Sequence, residues 1–170
     1  MAELFLIQNH PAVPVGVFGE LLTEWRRPWR VVRPDLAEAL PDPAAVDAVI
    51  VLGGYMGVHD EAQHPFLRPL KGFMKEALAA GMPLLGVCLG GQLLAEAGGG
   101  VVTANRRGEK GLVKVELTAA GVADPLFAGI DRHFSAFAWH NDSFDIPPGA
   151  LHLASSAACP GQAFRLGRAW

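Results

Sequence analysis

Cys88 is the residue of this sequence with the clearest chemical context. It lies in the segment GVCLGGQ at positions 86–92, directly after an apolar run that predicts a buried strand. Small residues two positions before and after a nucleophile allow the sharp strand-to-helix turn that lifts its side chain into a cleft. A helix N-terminus is also expected to lower the pKa of a thiol. We therefore predict that Cys88 is a nucleophile and that the Leu89 N–H faces a developing oxyanion.

The elements that must position Cys88 follow from apolar patterning. Short apolar runs predict strands at 4–7, 30–33, 48–52 and 83–87, and helical stripes predict helices at 15–25, 65–80 and 89–97. The segment 35–45 is expected to be a partly helical connection. This alternation is typical of an α/β fold with a largely parallel sheet. Further short strands are predicted at 112–117, 134–139, 151–155 and 163–166, and they indicate a small β-rich annex within a single domain over residues 1–170.

Composition excludes several functional classes. The 170 residues are 51% hydrophobic and 18% charged with a net charge of −3, so no cationic surface for nucleic acid is expected. No apolar run has the length of a membrane span, and the N-terminus lacks a signal-peptide pattern. The 2 cysteines are too few for a disulfide scaffold and favour a reducing, cytoplasmic location. No His/Cys spacing indicates zinc, and we expect neither a metal nor a cofactor.

The motif around Cys88 resembles the nucleophile motif Gly-x-Cys-x-Gly-x-Gln of class I (triad-type) glutamine amidotransferases. Other blocks resemble that family in the same order along essentially the whole chain. They are LGGYM at 52–56, EKG at 109–111, WHND at 139–142, DIPPGA at 145–150, ASS at 154–156 and QAFR at 162–165. The later blocks resemble in particular the stand-alone branch that is similar to the amidotransferase domain of GMP synthase. The resemblance implies a flavodoxin-like α/β domain.

The resemblance also implies hydrolysis of glutamine to glutamate and ammonia through a thioester on Cys88. Within the Gly-Gly loop, Gly54 would supply an oxyanion donor in addition to Leu89. Substrate-binding residues are expected at Gln92, His140, Asn141 and Asp142. Members of the family deliver ammonia to an acceptor domain, a partner subunit or solvent, so the expected partners are glutamine and such an acceptor.

The sequence departs from the family after Trp170. The family's catalytic His and Glu lie in a Gln-Phe-His-Pro-Glu segment that should follow there, and these 170 residues do not contain it. We expect a truncated chain, with a hairpin that is cut short after Gly167 and an uncovered apolar sheet face that favours homo-oligomers. We also expect impaired catalysis, and whether the chain is itself an enzyme stays open.

Three histidines are candidates for a replacement base. His140 lies nearest by family placement, but a structural or substrate-contacting role is favoured for it. His59, which is followed by Asp60 and Glu61, is interpreted as a solvated loop residue, and His10 as the end of the first strand. Two alternative functions also stay open. One is a γ-glutamyl peptidase-like hydrolase that uses the same cysteine, and the other is a non-catalytic glutamine-binding module.

Two further residues have weaker signals. Glu109 is expected either to contact the substrate or to be an exposed charge at the start of a strand. Cys159, which precedes a proline, is expected to be a surface or half-buried thiol without a chemical role.

Overall fold

A four-stranded parallel sheet forms the centre of the fold in the computed structural model, which describes residues 3–170. Its strands are β1 (Leu4–Ile7), β2 (Trp29–Val32), β3 (Ala48–Val51) and β4 (Leu84–Gly86), and they lie in the order β2-β1-β3-β4. The uninterrupted apolar runs indicate burial on both faces. Ile7, Val49 and Val51 are accordingly at most 1% exposed.

Three helices accompany these strands: the first two each connect one strand to the next along the chain, and the third follows the last strand. They are α1 (Val17–Glu24), α2 (Leu67–Ala79) and α3 (Leu89–Ala97). In α2 the buried side chains Leu70, Phe73 and Met74 recur at helical spacing and form one apolar face. α3 is buried from Leu89 to Ala95 and contacts α2, β3 and β4, so its first turn is held firmly beside the sheet. Among residues 3–170, no helix combines the length and apolarity needed to cross a membrane.

The second half of the chain is rich in antiparallel strands. They are β5 (Val102–Thr103), β6 (Glu109–Leu117), β7 (His133–His140), β8 (Ser143–Phe144), β9 (Leu151–Ser156) and β10 (Ala163–Arg165). One sheet has the order β10-β9-β6-β7, and β5 pairs with β8. The register between β6 and β7 places Glu109 opposite His140. This part of the fold therefore carries the segment 139–142 on a paired strand end.

The predicted α/β fold with a β-rich annex is confirmed, and the differences concern boundaries and short elements. β6 begins at residue 109 rather than 112, because Gly111, whose φ is +104°, interrupts the alternation that predicts a strand. The strands β5 and β8 and the short helix α4 (Ala119–Val122) were not predicted, since elements this short show no periodicity. The connection at 35–45 contains only the end of a 3₁₀ turn, Pro34–Leu36.

The last three described residues pair with the central sheet, which corrects the expectation of an unpaired edge after Gly167. A turn at Gly167 joins Leu166 to Ala169 through two backbone hydrogen bonds. The chain then runs parallel to β4: Leu84 N–H donates to the Arg168 carbonyl at 3.2 Å, and Trp170 N–H donates to the Leu84 carbonyl at 2.9 Å. The edge of β4 is therefore covered, and Ala169 is only 1% exposed.

Candidate active site

Cys88 lies at the sharp turn between β4 and α3. Its backbone has φ +54° and ψ −110°, a conformation that is energetically unfavourable for a residue with a side chain. Glycines make the turn fit. A Cβ on Gly86 would lie 2.5 Å from the Gly90 backbone, and one on Gly90 would overlap the Val51 carbonyl. The structure therefore contains the strand–turn–helix elbow that the glycine spacing predicts.

The expected lowering of the Cys88 pKa is wrong. The side chain is open to the cleft, but the surrounding walls displace water from the sulfur, and this burial raises the pKa of the thiol. The Leu89 N–H donates to the sulfur and lowers the pKa, whereas the negative charge of Asp142 raises it. Burial has the largest effect, so the neutral thiol is favoured in comparison with a free cysteine.

The Gly53–Gly54 loop follows β3 and lies against the elbow. A Cβ on Gly53 would come 3.4 Å from Cys88 Cβ, and a Cβ on Gly54 would lie 2.9 Å from Leu89 Cδ2. A side chain at Gly54 would therefore crowd the Leu89 side chain, whereas a Cβ at Gly53 would reach ordinary van der Waals contact with Cys88. This proximity is what an oxyanion site formed by the N–H groups of Gly54 and Leu89 requires.

A cavity of about 290 Å³ opens beside Cys88. Its lining brings together the predicted nucleophile, one predicted oxyanion residue and all the predicted substrate-binding residues. These are Gly54, Cys88, Gln92, His140, Asn141 and Asp142. Leu89, the remaining predicted residue, has a buried side chain and contributes its N–H. Tyr55 and Asn105 also line the cavity. They were not predicted as site residues: Tyr55 belongs to the block at 52–56 but had no role of its own there, and Asn105 lies outside the quoted blocks.

Hydrogen bonds hold the cavity wall formed by residues 139–142. The Asp142 carbonyl accepts from His140 Nδ1 at 2.8 Å and from Gln92 Nε2 at 3.4 Å. The Asp142 carboxylate accepts from the Asn105 N–H at 2.9 Å. Gln92 is thereby connected from α3 to the opposite wall. The side chains of Gln92 and His140, both predicted to bind substrate, therefore also hold the backbone of this wall in place.

Glu109 fits neither of its two expectations, because it is buried and does not line the cavity. Its carboxylate accepts hydrogen bonds from Ser156 Oγ at 2.8 Å and from Gln162 Nε2, and it lies 3.3 Å from His140 Nε2. Cys159, expected at or near the surface, is only 2% exposed. Ligand-type atoms of Glu109, His140 and Cys159 lie within 4.8 Å of one another. Since the carboxylate already has these hydrogen-bond partners, we interpret the cluster as a structural network.

Within residues 3–170, none of the three candidate histidines is hydrogen-bonded to Cys88, although two of them, His59 and His140, line the same cavity. His140 directs both ring nitrogens at oxygen acceptors, as described above. His59 and Glu61 have a His-x-Glu spacing, but His59 Nε2 lies 3.3 Å from the Val102 carbonyl. The Glu61 carboxylate pairs with Lys71 of α2. His10 Nδ1 accepts a backbone N–H from two residues further along. These contacts favour structural roles for His10 and His59 and a structural or substrate-contacting role for His140.

A second cavity, of about 310 Å³, also reaches Cys88. Its mainly apolar lining comes from β4, β6, β7 and Trp170. The two cavities share five lining residues, which are Cys88, Gln92, Trp139, His140 and Asp142. The sulfur is thus accessible both from a polar cavity and from an apolar one.

Several known proteins are similar to this chain in sequence. The glutamine amidotransferase-like protein YfeJ of Salmonella typhimurium is 33% identical over 134 residues, which are 76% of this chain and 56% of that protein. The glutamine-hydrolyzing GMP synthase subunit of Methanoculleus marisnigri is 30% identical over 94% of this chain and 78% of its own length. The γ-glutamyl-L-1-hydroxyisopropylamide hydrolase of a Pseudomonas species is 33% identical over 65% of this chain and 39% of its own length. The chain thus spans little more than half of the first of these relatives.

A solved structure and a family model indicate the same family as these relatives do. A glutamine amidotransferase from Thermotoga maritima superposes with a TM-score of 0.91 at 29% identity, covering 99% of this chain and 73% of that one. The family model described as "Glutamine amidotransferase class-I" matches residues 22–162, which include the elbow, the Gly-Gly loop and the wall at 139–142. The chain belongs to the class-I glutamine amidotransferase family.

Proposed function

We propose that Cys88 hydrolyses the side-chain amide of glutamine to glutamate and ammonia. The observation that carries this proposal is the cavity in which Cys88 meets Gly54, Gln92 and Asp142. A nucleophile at an elbow, backbone donors beside it and a polar wall opposite are the parts that acyl transfer requires. Membership of the class-I family supports the same reaction.

The reaction exchanges two bonds at the amide carbon. Cys88 Sγ bonds to this carbon, the C–N bond breaks, and ammonia leaves with the proton that the thiol gives up. Water then attacks the thioester, which releases glutamate and returns a proton to the sulfur. The N–H groups of Gly54 and Leu89 stabilise the negative charge that forms on the carbonyl oxygen in both steps. Gln92, His140, Asn141 and Asp142 hold the substrate in the cavity.

We also propose that these 170 residues by themselves hydrolyse glutamine slowly. Moving a proton from sulfur to nitrogen needs a base, and within residues 3–170 no histidine is hydrogen-bonded to Cys88. The sequence holds no Gln-Phe-His-Pro-Glu segment. A positioned base contributes roughly 10²- to 10⁴-fold to a rate, so a deficit of this size is expected. In the limiting case of this deficit, the protein would be a module that binds glutamine without hydrolysing it.

A glutamine-like electrophile tests the nucleophile without relying on turnover. 6-Diazo-5-oxo-L-norleucine carries a reactive diazoketone where glutamine has its amide. We expect intact-mass measurement and peptide mapping to find one adduct, on Cys88, whose formation glutamine slows. The buried Cys159 is the internal control, and Cys88→Ser should remain unlabelled. Equal labelling of both cysteines, or labelling that glutamine does not slow, would contradict the proposal.

For the ammonia, we propose an acceptor on a separate domain or on a partner protein. The Methanoculleus relative, which is named as one subunit of a GMP synthase, aligns with 94% of this chain and supports an acceptor of that kind. The free thiols at Cys88 and Cys159 fit a reducing cytoplasm as the location.

A second candidate function is the hydrolysis of substituted γ-glutamyl amides. The Pseudomonas relative is named for such a substrate, and the apolar cavity of about 310 Å³ gives room for an amide substituent. Protection against the diazoketone label distinguishes the two functions. If this candidate is correct, a γ-glutamyl alkylamide protects Cys88 at lower concentration than glutamine does.

A further inference from the structure

Asn9 lies beside the loop that carries Gly54, and its side chain is completely buried. Asn9 Nδ2 donates a hydrogen bond of 2.7 Å to the carbonyl of Leu52, which is 43 residues further along the chain. The register of β1 with β3 ends at Ile7 and Val51. The carboxamide therefore extends the link between these strands into the Gly-Gly loop.

This hydrogen bond fixes the plane of the Leu52–Gly53 peptide. In a trans peptide the N–H points opposite to the C=O, so holding the Leu52 carbonyl also orients the Gly53 N–H, and the peptide that carries the Gly54 N–H follows directly. The loop is confined on two sides. A Cβ on Gly54 would lie 3.6 Å from Asn9 Cβ, and one on Gly53 would lie 3.4 Å from Cys88 Cβ.

The oxygen atom of the carboxamide indicates that fold stability alone does not explain why position 9 is an asparagine. Its Oδ1 is buried and, within residues 3–170, has no hydrogen-bond donor, which is unfavourable. Rotating the amide by half a turn would place Oδ1 against the Leu52 carbonyl oxygen, so the donor must face Leu52. A leucine has the same number of side-chain heavy atoms and no unpaired acceptor, but it would leave the Leu52 carbonyl without its donor.

We propose that Asn9 is a positioning residue for the oxyanion site. It holds the loop from Leu52 to Gly54 so that the Gly54 N–H faces the oxygen of the group that Cys88 attacks. Asn9 does not line the cavity, and it acts through the loop rather than on the substrate. This inference rests on the proposed function.

The test compares a tetrahedral adduct with the planar substrate. L-Glutamate γ-semialdehyde adds to Cys88: the S–C bond forms, the C=O π bond breaks, and the thiol proton moves to the oxygen that enters the oxyanion site. L-Glutamine binds without this change. Titration calorimetry measures both affinities in the wild type, Asn9→Leu and Asn9→Asp, which all have side chains of similar size. We expect semialdehyde affinity to fall by about 10-fold or more in both variants, because an oxyanion donor is displaced, while glutamine affinity changes by less than about 3-fold.

Ile7→Val is the matched control, because it removes a buried methyl group from the same strand and keeps the Ile7 carbonyl that accepts from the Leu52 N–H. It should bind both ligands like the wild type. Asn9→Leu keeps the test decisive if the buried carboxylate of Asn9→Asp prevents folding, which circular dichroism checks. Equal losses for the two ligands, or wild-type semialdehyde affinity in Asn9→Leu, would overturn the role of Asn9. A wild-type protein that does not bind the semialdehyde would overturn the proposed function instead.

Discussion

Cys88 combines a left-handed backbone with a thiol whose pKa is raised by burial. The thiolate is the form that reacts, so the resting protein holds its nucleophile mainly in the less reactive state. The Leu89 N–H alone does not reverse this effect. Reactivity at neutral pH therefore depends on a group that accepts the thiol proton.

The rate at which iodoacetamide alkylates Cys88 should increase at higher pH values than the rate for a free cysteine does. The raised pKa means that less thiolate is present at any given pH, so the curve of rate against pH shifts to higher pH. Asp142→Asn removes a negative charge that raises the pKa, and its curve should shift back toward lower pH. Peptide-resolved mass spectrometry over the neutral and alkaline range measures both curves.

Glu116→Gln is the control for this experiment. Glu116 is an exposed acid at the end of β6 that lies away from the cavity wall, so the wild-type curve should be retained. A wild-type curve that coincides with that of a cysteine peptide would show that burial does not govern this thiol.

The elbow between β4 and α3 depends on close backbone approach. A Cβ at Gly86 or Gly90 would meet backbone atoms that cannot move without disturbing the sheet. Gly86→Ala is therefore expected to lower the free energy of unfolding by about 1–3 kcal/mol, the usual effect of overpacking. Urea denaturation measures the change.

Gly72→Ala provides the matched control. Gly72 lies within α2, and its Cβ would have no atom within 4 Å. Because alanine is the better helix former, this variant should be more stable by up to about 1 kcal/mol. If the two variants changed stability alike, steric crowding at the elbow would not be the reason for its glycines.

Continuous motifs and periodic segments account for what the sequence predicts well. The helix at 89–97 agrees with the structure at both ends, and the motif residues around Cys88 come together in one cavity. Asn9 and Glu109 have partners at Leu52 and Ser156, 43 and 47 residues away, and one sequence does not reveal such pairs. The predicted direction of the Cys88 pKa shift was wrong for the same reason, since distant segments build the walls that bury the thiol.

Asp124 connects the two sheets at the level of the whole molecule. Its buried carboxylate accepts from Trp170 Nε1 at 2.9 Å. Arg165 Nε lies 2.7 Å from the same carboxylate as an ion pair, although the two groups are not aligned as a hydrogen bond. Arg165 belongs to β10 of the antiparallel sheet, whereas Trp170 pairs with β4 of the parallel one. One carboxylate thus holds both parts of the fold together.

Trp170→Phe should weaken this connection. The change keeps an aromatic ring but removes the N–H donor, and hydrogen bonds to charged groups contribute about 1.5–3 kcal/mol. A loss of that size in the free energy of unfolding is expected from chemical denaturation. Trp25→Phe is the control, because Trp25 is 62% exposed and its replacement should change stability by less than about 0.5 kcal/mol. Equal effects of both substitutions would argue against the connection.

The pairing of Arg168–Trp170 with β4 also directs this segment toward Cys88, because the two run parallel and Cys88 follows β4. Ala169 stands level with Leu84 in parallel register, and each extended residue advances about 3.3 Å along the strand. An extended peptide ligated to Trp170 would therefore come level with Cys88 at its third residue. The side chain at that third position, whatever its type, is therefore expected to lie near the nucleophile.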